Sequence, residues 1–231
     1  DELGPFDPQT KIIEYAIDDG SRLSDLSVRR FTEETASESV APGGGSVAAN
    51  VGALGAALGT MVANISSHKR GWDERWEEFS NWAEQGKACH DELLALIDAD
   101  TEAFNEIMAA FRLPDGTDAE AAARTKAIES ATRRAIEIPL RVMEVSLASM
   151  DVIGAMAEIG LPASASDAGV GAMCARTAVK AAYLNVLTNV QSLSDGEAAA
   201  DYVQRGVEFQ ERAQARETEI VAAVERRIGN Q

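Results

Sequence analysis

The segment at residues 42–59 constrains the fold of this chain more than any other part of its sequence. It opens Pro-Gly-Gly-Gly and passes through Ser46 into a run of alanine, glycine, valine and leucine. Proline and glycine disfavour a helix interior, whereas serine is a good N-cap, so the pattern predicts a helix from Ser46 to Ser66. Residues 47–65 carry no charge, but their small side chains supply too little hydrophobicity for membrane insertion. We therefore expect a buried helix that neighbouring helices approach closely.

The glycines before this helix also have the composition of an anion-binding loop. Backbone N–H groups of Gly43, Gly44 and Gly45 would face the same point as the positive end of the helix dipole. Glycine-rich loops are more often plain turns, and this one matches neither the dinucleotide-binding nor the P-loop pattern. On spacing alone, a ligand site and a simple turn both stay open.

The middle of the chain is predicted to be helical as well. The pattern from Trp72 to Phe111 fits one long helix or two, with Gly86 as the weak point. Thr117 and Glu120 form a capping box for the next helix, which Pro139 should kink.

Two further helices complete the pattern. Residues 167–193 form a second helix rich in small residues, and Ser194 with Glu197 forms a capping box for a charged final helix. Residues 1–27 are a linker-like leader in which residues 11–17 alternate and can form an edge strand, while residues 28–231 form one helical domain. Short connections and few strand signals predict an all-α fold, an antiparallel helical bundle of five to six helices.

The charge of the chain excludes several classes of partner. Its formal net charge is −17, with 38 acidic and 21 basic residues, which repels nucleic acid and anionic membranes. The basic cluster beside the glycine segment's helix is His68-Lys69-Arg70. Cys89 and Cys174 lie far apart and are predicted to stay unpaired, in a cytoplasmic protein, and no Cys/His pattern suggests a metal site.

One carboxylate lies on an otherwise apolar helix face. The face is defined by 3-4-3-4 spacing and consists of Leu93, Ile97, Asp100, Phe104, Ile107 and Phe111. A buried Asp100 must be paired or have a raised pKa, because an unpaired buried charge costs several kcal/mol (~3–5). A raised pKa suits general acid–base catalysis near neutral pH, but an ion pair inside the core is an equally good interpretation.

Other polar residues are ambiguous in the same way. Asp167, with Ser166 before it, is placed as a helix N-cap or as a site carboxylate. Asn185 and Asn189 share one helix face and could bind a polar ring or bridge helices. Lys69 has the position of a surface lysine but could also contact an anionic substrate.

Four motifs in order carry a family resemblance. They are PGGGSVAANVGALGAALGTMVANISSHKRGW at residues 42–72, LIDADTEAFN at 96–105, AAFRLP at 109–114 and SASDAGV at 164–170. Over roughly residues 30–215 the chain resembles the formiminotetrahydrofolate cyclodeaminase family, the C-terminal half of formiminotransferase-cyclodeaminase, whose fold is shared by free-standing methenyltetrahydrofolate cyclohydrolases. The leader LGPFDP at residues 3–8 resembles the linker between the two halves of fused enzymes.

The resemblance implies a reaction and a set of site residues. The reaction is conversion of 5-formiminotetrahydrofolate to 5,10-methenyltetrahydrofolate with loss of ammonia, by a homodimer that needs no metal or redox cofactor. It implies Asp100 and Asp167 as the catalytic carboxylates. The substrate-binding residues are predicted to be Gly43, Gly44, Gly45, Ser46, Lys69, Ser166, Asn185 and Asn189.

One departure and two alternatives accompany this prediction. Leu161 precedes Pro162 where the family pattern leads us to expect asparagine, which leaves substrate detail open. The first alternative is a methenyltetrahydrofolate cyclohydrolase on the same scaffold. The second is a non-catalytic helical partner subunit of a formiminotransferase.

Overall fold

The protein is described by a computed structural model that covers residues 22–229. This range contains six α-helices and no β-strand, which confirms the all-α prediction. The helices are α1 (Val28–Thr35), α2 (Gly44–Ser67), α3 (Trp76–Phe111), α4 (Asp118–Ile159), α5 (Ala165–Asn189) and α6 (Gly196–Gly229). The strand predicted at residues 11–17 lies outside the described residues.

Helix α2 lies at the centre of an antiparallel bundle. It packs against α3, α4 and α5, while α6 packs against α4 and α5. Gly44 lies beside Asn185 of α5, and at the other end of α2 the Ser66 Oγ accepts a 2.8 Å hydrogen bond from the N–H of Leu161. The N-terminus of α2 therefore shares one end of the bundle with the C-terminus of α5.

Glycines allow α2 to approach its neighbours closely. A Cβ on Gly52 would lie 2.6 Å from the Ser146 Oγ in α4, and one on Gly55 would lie 2.8 Å from the Gly171 carbonyl oxygen in α5. Both distances are shorter than van der Waals contact, so no larger residue fits without displacing a neighbour. The expected close approach of helices to this segment is what the structure shows.

Among the described helices, α2 alone has the length and apolar composition of a membrane span. However, 56% of its most apolar 18-residue segment is buried inside the bundle. Helices from the core of a folded domain satisfy the same length and composition criteria, and the burial agrees with the interpretation of α2 as a core helix.

Two predicted helix starts were wrong by one or two residues. Helix α2 begins at Gly44 with Gly43 as its N-cap, so Ser46 lies within the first turn. Helix α6 begins at Gly196, because Asp195 accepts a 3.0 Å hydrogen bond from the N–H of Ala198 and takes the capping role predicted for Ser194. In both places the serine hydroxyl makes a tertiary contact instead of capping the helix. The Ser46 hydroxyl contacts Asp100, and the Ser194 hydroxyl donates to Glu129.

The long helices are less interrupted than their sequences suggest. Helix α3 is continuous through Gly86, where a Cβ would overlap the Thr60 hydroxyl, so this glycine marks a close crossing with α2 rather than a break. Helix α4 begins at the predicted capping box, with the N–H of Glu120 donating to the Thr117 Oγ1 at 3.2 Å. It then continues through Pro139 to its end at Ile159.

Candidate active site

A pocket of about 160 Å³ lies at the end of the bundle where α2 begins and α5 ends. Helix α3 forms its third side and one residue of α4 closes it. The lining residues are Val40, Ala41, Gly43, Gly44, Gly45, Asp100, Thr101, Ala103, Phe104, Ile107, Ala135, Asn185 and Asn189. The pocket thus collects six of the predicted site residues, and a seventh, Ser46, contacts Asp100.

Asp100 lies against the N-terminus of α2. The Ser46 hydroxyl is 3.0 Å from the Asp100 Oδ2 and 3.0 Å from the Ile97 carbonyl oxygen. Gly45 passes so close that a Cβ there would overlap the Asp100 Oδ1. The anion that the structure places at this helix N-terminus is therefore the protein's own carboxylate, at a position where the helix dipole favours negative charge.

The Ser46 hydroxyl can serve both protonation states of Asp100. When Asp100 is ionised, the hydroxyl donates to its Oδ2. When Asp100 is protonated, the carboxylic acid donates to the serine oxygen and the serine proton turns to the Ile97 carbonyl. A group that can hydrogen-bond in both states is well placed to take up and release a proton.

The surroundings of Asp100 raise its pKa above the usual aspartate range. Burial is the main cause, since it disfavours the charged form. Hydrogen bonds from the Ser46 hydroxyl and backbone N–H lower the pKa and only partly offset the burial. The structure supplies no arginine or lysine to Asp100 within the pocket lining, so the alternative of a core ion pair finds no partner among the described lining residues.

Two asparagines present acceptors to the pocket. The Asn189 Nδ2 donates to the Ala135 carbonyl oxygen at 2.7 Å, and the Asn185 Nδ2 donates to the Ala181 carbonyl oxygen at 3.1 Å. With one amide N–H engaged in each, the side-chain carbonyl oxygens are left to accept hydrogen bonds from a ligand. Asn189 thus also bridges α5 and α4, so the helix-bridging interpretation and the ligand-binding interpretation apply to the same residue.

An aromatic residue that sequence reasoning did not place in the site forms its rim. Phe104 lines the pocket and is 42% exposed, one turn after Asp100 on α3. Phe111, further along the same face, is 49% exposed, so the apolar face is buried only up to Asp100. The spacing of four residues from Asp100 was the signal that could have identified Phe104 as a site residue.

Three predicted site residues lie at the other end of the bundle. Ser166 and Asp167 are in the first turn of α5, and Lys69 follows the end of α2 beside a surface hollow of about 470 Å³. Helix α2 has 24 residues, a length of about 36 Å. One chain therefore does not bring Asp167 together with Asp100. Ser164, not Asp167, is the N-cap of α5, so the predicted Asp167 cap was wrong.

Asp98 has a different function from Asp100 although it is only two residues away. Its carboxylate accepts hydrogen bonds from the Leu23 N–H at 2.7 Å and from the Ser24 hydroxyl at 2.6 Å. It thereby holds the turn Leu23–Asp25 against α3. Asp98 and Asp100 lie on different faces of α3: Asp98 anchors the turn Leu23–Asp25, and Asp100 lines the pocket.

The fold and the pocket define a helical-bundle protein with a half-buried carboxylate in a pocket of about 160 Å³. A sequence profile of the family described as formiminotransferase-cyclodeaminase matches residues 27–207, and the chain belongs to this family.

Relatives of known function fall into two kinds. The formimidoyltransferase-cyclodeaminase of Rattus norvegicus is 37% identical over 198 residues, which cover 84% of this chain and 37% of the rat protein. The methenyltetrahydrofolate cyclohydrolase of Methylorubrum extorquens is 36% identical over 169 residues, covering 73% of this chain and 81% of that one. The chain therefore spans little more than a third of the bifunctional rat protein and most of the cyclohydrolase.

A solved structure supports the fold assignment. The crystal structure of formiminotetrahydrofolate cyclodeaminase from Thermotoga maritima matches with a TM-score of 0.72 and 25% sequence identity. The match covers 90% of this chain and 98% of that one.

Proposed function

We propose that this protein converts 5-formiminotetrahydrofolate to 5,10-methenyltetrahydrofolate and releases ammonia. The observation that carries the proposal is the half-buried Asp100, whose pKa is raised and which lines a pocket in a chain of this family. The family membership supports folate one-carbon chemistry, and the particular reaction is our inference.

The proposed reaction moves one proton between two nitrogens. N10 of the protonated substrate attacks the formimino carbon, a C–N bond forms, and ionised Asp100 accepts the N10 proton. Protonated Asp100 then donates this proton to the former imino nitrogen, the C–N bond to that nitrogen breaks, and ammonia leaves with its electron pair. The methenyl cation remains, and Asp100 is again ionised beside it, where its charge stabilises the product.

This sequence of steps needs one carboxylate within one pocket. Asp100 accepts and returns the same proton, and Ser46 can hydrogen-bond to it in both states. The step transfers no electrons, so we expect no redox cofactor, and the relay requires no metal. The second carboxylate predicted from the sequence, Asp167, is not required inside the same chain.

The lining of the pocket suits the ring system of a folate. Phe104 offers an exposed aromatic face for stacking, and the side-chain carbonyl oxygens of Asn185 and Asn189 can accept from ring N–H groups. The lining includes no cationic residue among those described, which favours a cationic centre such as the methenyl bridge over an anion.

A methenyltetrahydrofolate cyclohydrolase is the second candidate function. The specific observation in its favour is that the Methylorubrum extorquens cyclohydrolase is 36% identical to this chain, nearly the same as the 37% of the rat bifunctional protein. Asp100 would then remove a proton from a water molecule that attacks the methenyl carbon.

The two candidates are separated by following both folates. Purified protein is incubated with enzymatically generated 5-formiminotetrahydrofolate while the methenyl absorbance band and free ammonia are recorded together. We expect the band to grow with ammonia in a one-to-one ratio. No growth, with faster decay of the band when methenyltetrahydrofolate is added, would establish the cyclohydrolase. Inertness toward both folates would leave the partner-subunit alternative.

The biological setting is proposed on the same basis. A formiminotransferase, as a fused domain or a separate subunit, would supply the substrate, because several relatives carry both activities in their names. We expect the protein to act in the cytoplasm, where Cys89 and Cys174, both unpaired in the structure, would stay reduced.

A further inference from the structure

A proline lies in the interior of α4, close to the part of this helix that reaches the pocket. Pro139 is buried near the middle of the 42-residue helix. In an α-helix the N–H of residue 139 would donate to the carbonyl oxygen of residue 135, four positions earlier. Proline has no N–H, so the Ala135 carbonyl oxygen lacks its usual helical donor.

A residue of the pocket bonds to this same carbonyl oxygen. The Asn189 Nδ2 donates to it at 2.7 Å from α5, 54 residues further along the chain. Ala135 and Asn189 both line the pocket that contains Asp100. The interruption in the hydrogen-bond ladder of α4 and the side-chain bond from α5 therefore meet at one atom of a pocket residue.

The bond to Ala135 fixes which way the Asn189 amide faces. A carbonyl oxygen can only accept, so the atom that meets it must be the amide nitrogen and not Oδ1. Among the described residues none donates to the Asn189 Oδ1, and the half-buried side chain forms part of the pocket wall. Asn189 therefore presents an acceptor, which suits a ligand that offers an N–H group.

We propose that Pro139 is a positioning residue for this site. By withholding a backbone N–H from Ala135, it keeps that carbonyl oxygen open to Asn189 and so holds the Asn189 Oδ1 as an acceptor for the substrate. The role toward the substrate rests on the proposed function, whereas the hydrogen bonding between α4 and α5 does not.

Packing alone explains this proline less well. Proline is the least favourable residue in a helix interior, and valine has as many side-chain carbons and would leave the backbone ladder intact. What valine does not provide is a carbonyl group without a helical donor. Pro139 stands four residues after Ala135, the one spacing that exposes the oxygen bonded by Asn189.

The first test observes the hydrogen bond without any enzyme assay. Nuclear magnetic resonance follows the side-chain amide protons of Asn189, assigned with Asn189→Ala, in the wild-type, Pro139→Ala and Pro139→Val chains. The restored N–H competes for the Ala135 carbonyl oxygen, so we expect the bonded Asn189 proton to exchange with solvent about tenfold faster in both variants. Unchanged exchange would show that the carbonyl oxygen serves both donors and would overturn the proposal.

The second test separates the missing N–H from the packing of the proline ring. Pro139→Ala leaves a space and Pro139→Val fills it, but both restore the N–H. For the folate that the wild-type protein converts, we expect both variants to raise KM by about three- to tenfold, the effect of one lost hydrogen bond, with kcat within about twofold of the wild-type value. A wild-type KM in Pro139→Val would show that the ring acts by packing and would overturn the proposal.

The matched control is Ile138→Ala, at the neighbouring position of α4. Ile138 packs against the core and is not among the residues that line the pocket. Its replacement loosens the packing of α4 without adding an N–H, so KM should stay at the wild-type value. An equal rise in KM would mean that loosened packing is sufficient, which would contradict the proposal. Urea unfolding checks that each variant is folded.

The third test asks whether Pro139 acts through Asn189. Asn189→Ala and the double variant Pro139→Val/Asn189→Ala are assayed beside the single Pro139→Val variant. If Pro139 acts by orienting Asn189, the double variant has the KM of Asn189→Ala alone, because nothing is left to orient. A KM raised by the product of the two single effects would show independent roles and overturn the proposal. If the wild-type protein is inert toward both folates, the proposed function fails, while the proton-exchange measurement still decides whether Pro139 keeps the Ala135 carbonyl oxygen open to Asn189.

Discussion

The position of the Asp100 carboxylate depends on Gly45 having no side chain, because the carboxylate occupies the space that a Cβ would need. Gly45→Ala would place a methyl group where the Asp100 Oδ1 now lies. We expect the carboxylate to be displaced, turnover to fall by more than tenfold, and stability to fall by about 1–3 kcal/mol. Steady-state kinetics and urea unfolding measure the two effects.

The matched control for this variant is Gly196→Ala. It also lies in the first turn of a helix, but no heavy atom lies within 4 Å of its would-be Cβ. It should retain full activity. A Gly45→Ala protein with wild-type kinetics would show that the position of Asp100 seen here is not the functional one.

Ser46 should control the pH at which activity is lost. If ionised Asp100 accepts the N10 proton, kcat/KM falls as the pH falls through the pKa of Asp100, which burial raises. The Ser46 hydroxyl lowers this pKa, so Ser46→Ala should raise it further and move the acid limb of the profile to higher pH. The profile of kcat/KM against pH is the measurement.

A second buried serine provides the comparison. Ser149 donates to the Ser146 carbonyl oxygen within α4, away from the pocket. Ser149→Ala should leave the acid limb unmoved. An unmoved limb in Ser46→Ala as well would mean that another group sets the profile.

At the level of elements, the small residues of α2 determine how close the helices lie. Gly55→Ala would place a Cβ 2.8 Å from the Gly171 carbonyl oxygen, a backbone atom that can move only with α5. We expect a loss of about 1–3 kcal/mol in the free energy of unfolding, measured with urea. Gly116→Ala, where the nearest atom is the Glu120 Oε2 at 3.5 Å, should change stability far less, and equal losses would argue against a close α2–α5 crossing.

The helices themselves were largely predictable, and their exact limits were not. Thr117 and Glu120 act through local hydrogen bonds that sequence displays, so the start of α4 was correct. Ser46 was wrongly predicted as the N-cap of α2 because its hydroxyl is hydrogen-bonded to Ile97 and Asp100, more than fifty residues away. Gly86 looked like a weak point because only its distant neighbour, Thr60, explains why a glycine is there.

For the whole molecule, the sequence predicted residues that line one pocket better than it predicted how all the proposed site residues are arranged. The apolar stripe around Asp100 indicated a raised pKa, as the structure has it, but Asp100 is only half-buried because the face beyond it is exposed. Periodicity within each helix did not show which proposed site residues share an end of the bundle, and Lys69 and Asp167 lie about one helix length from the pocket. Their separation follows from how the helices pack, and that information is not local to any motif.

The most direct test of the account compares Asp100→Asn with Asp98→Asn in the coupled methenyl and ammonia assay. Asp98 anchors the turn Leu23–Asp25, so Asp98→Asn should lose stability but keep turnover. Asp100→Asn should lose on the order of 10²- to 10⁴-fold in turnover while its melting temperature at neutral pH does not fall, because burial disfavours the ionised carboxylate that it replaces. A folded Asp100→Asn protein that still forms methenyltetrahydrofolate and ammonia at the wild-type rate would contradict the central claim.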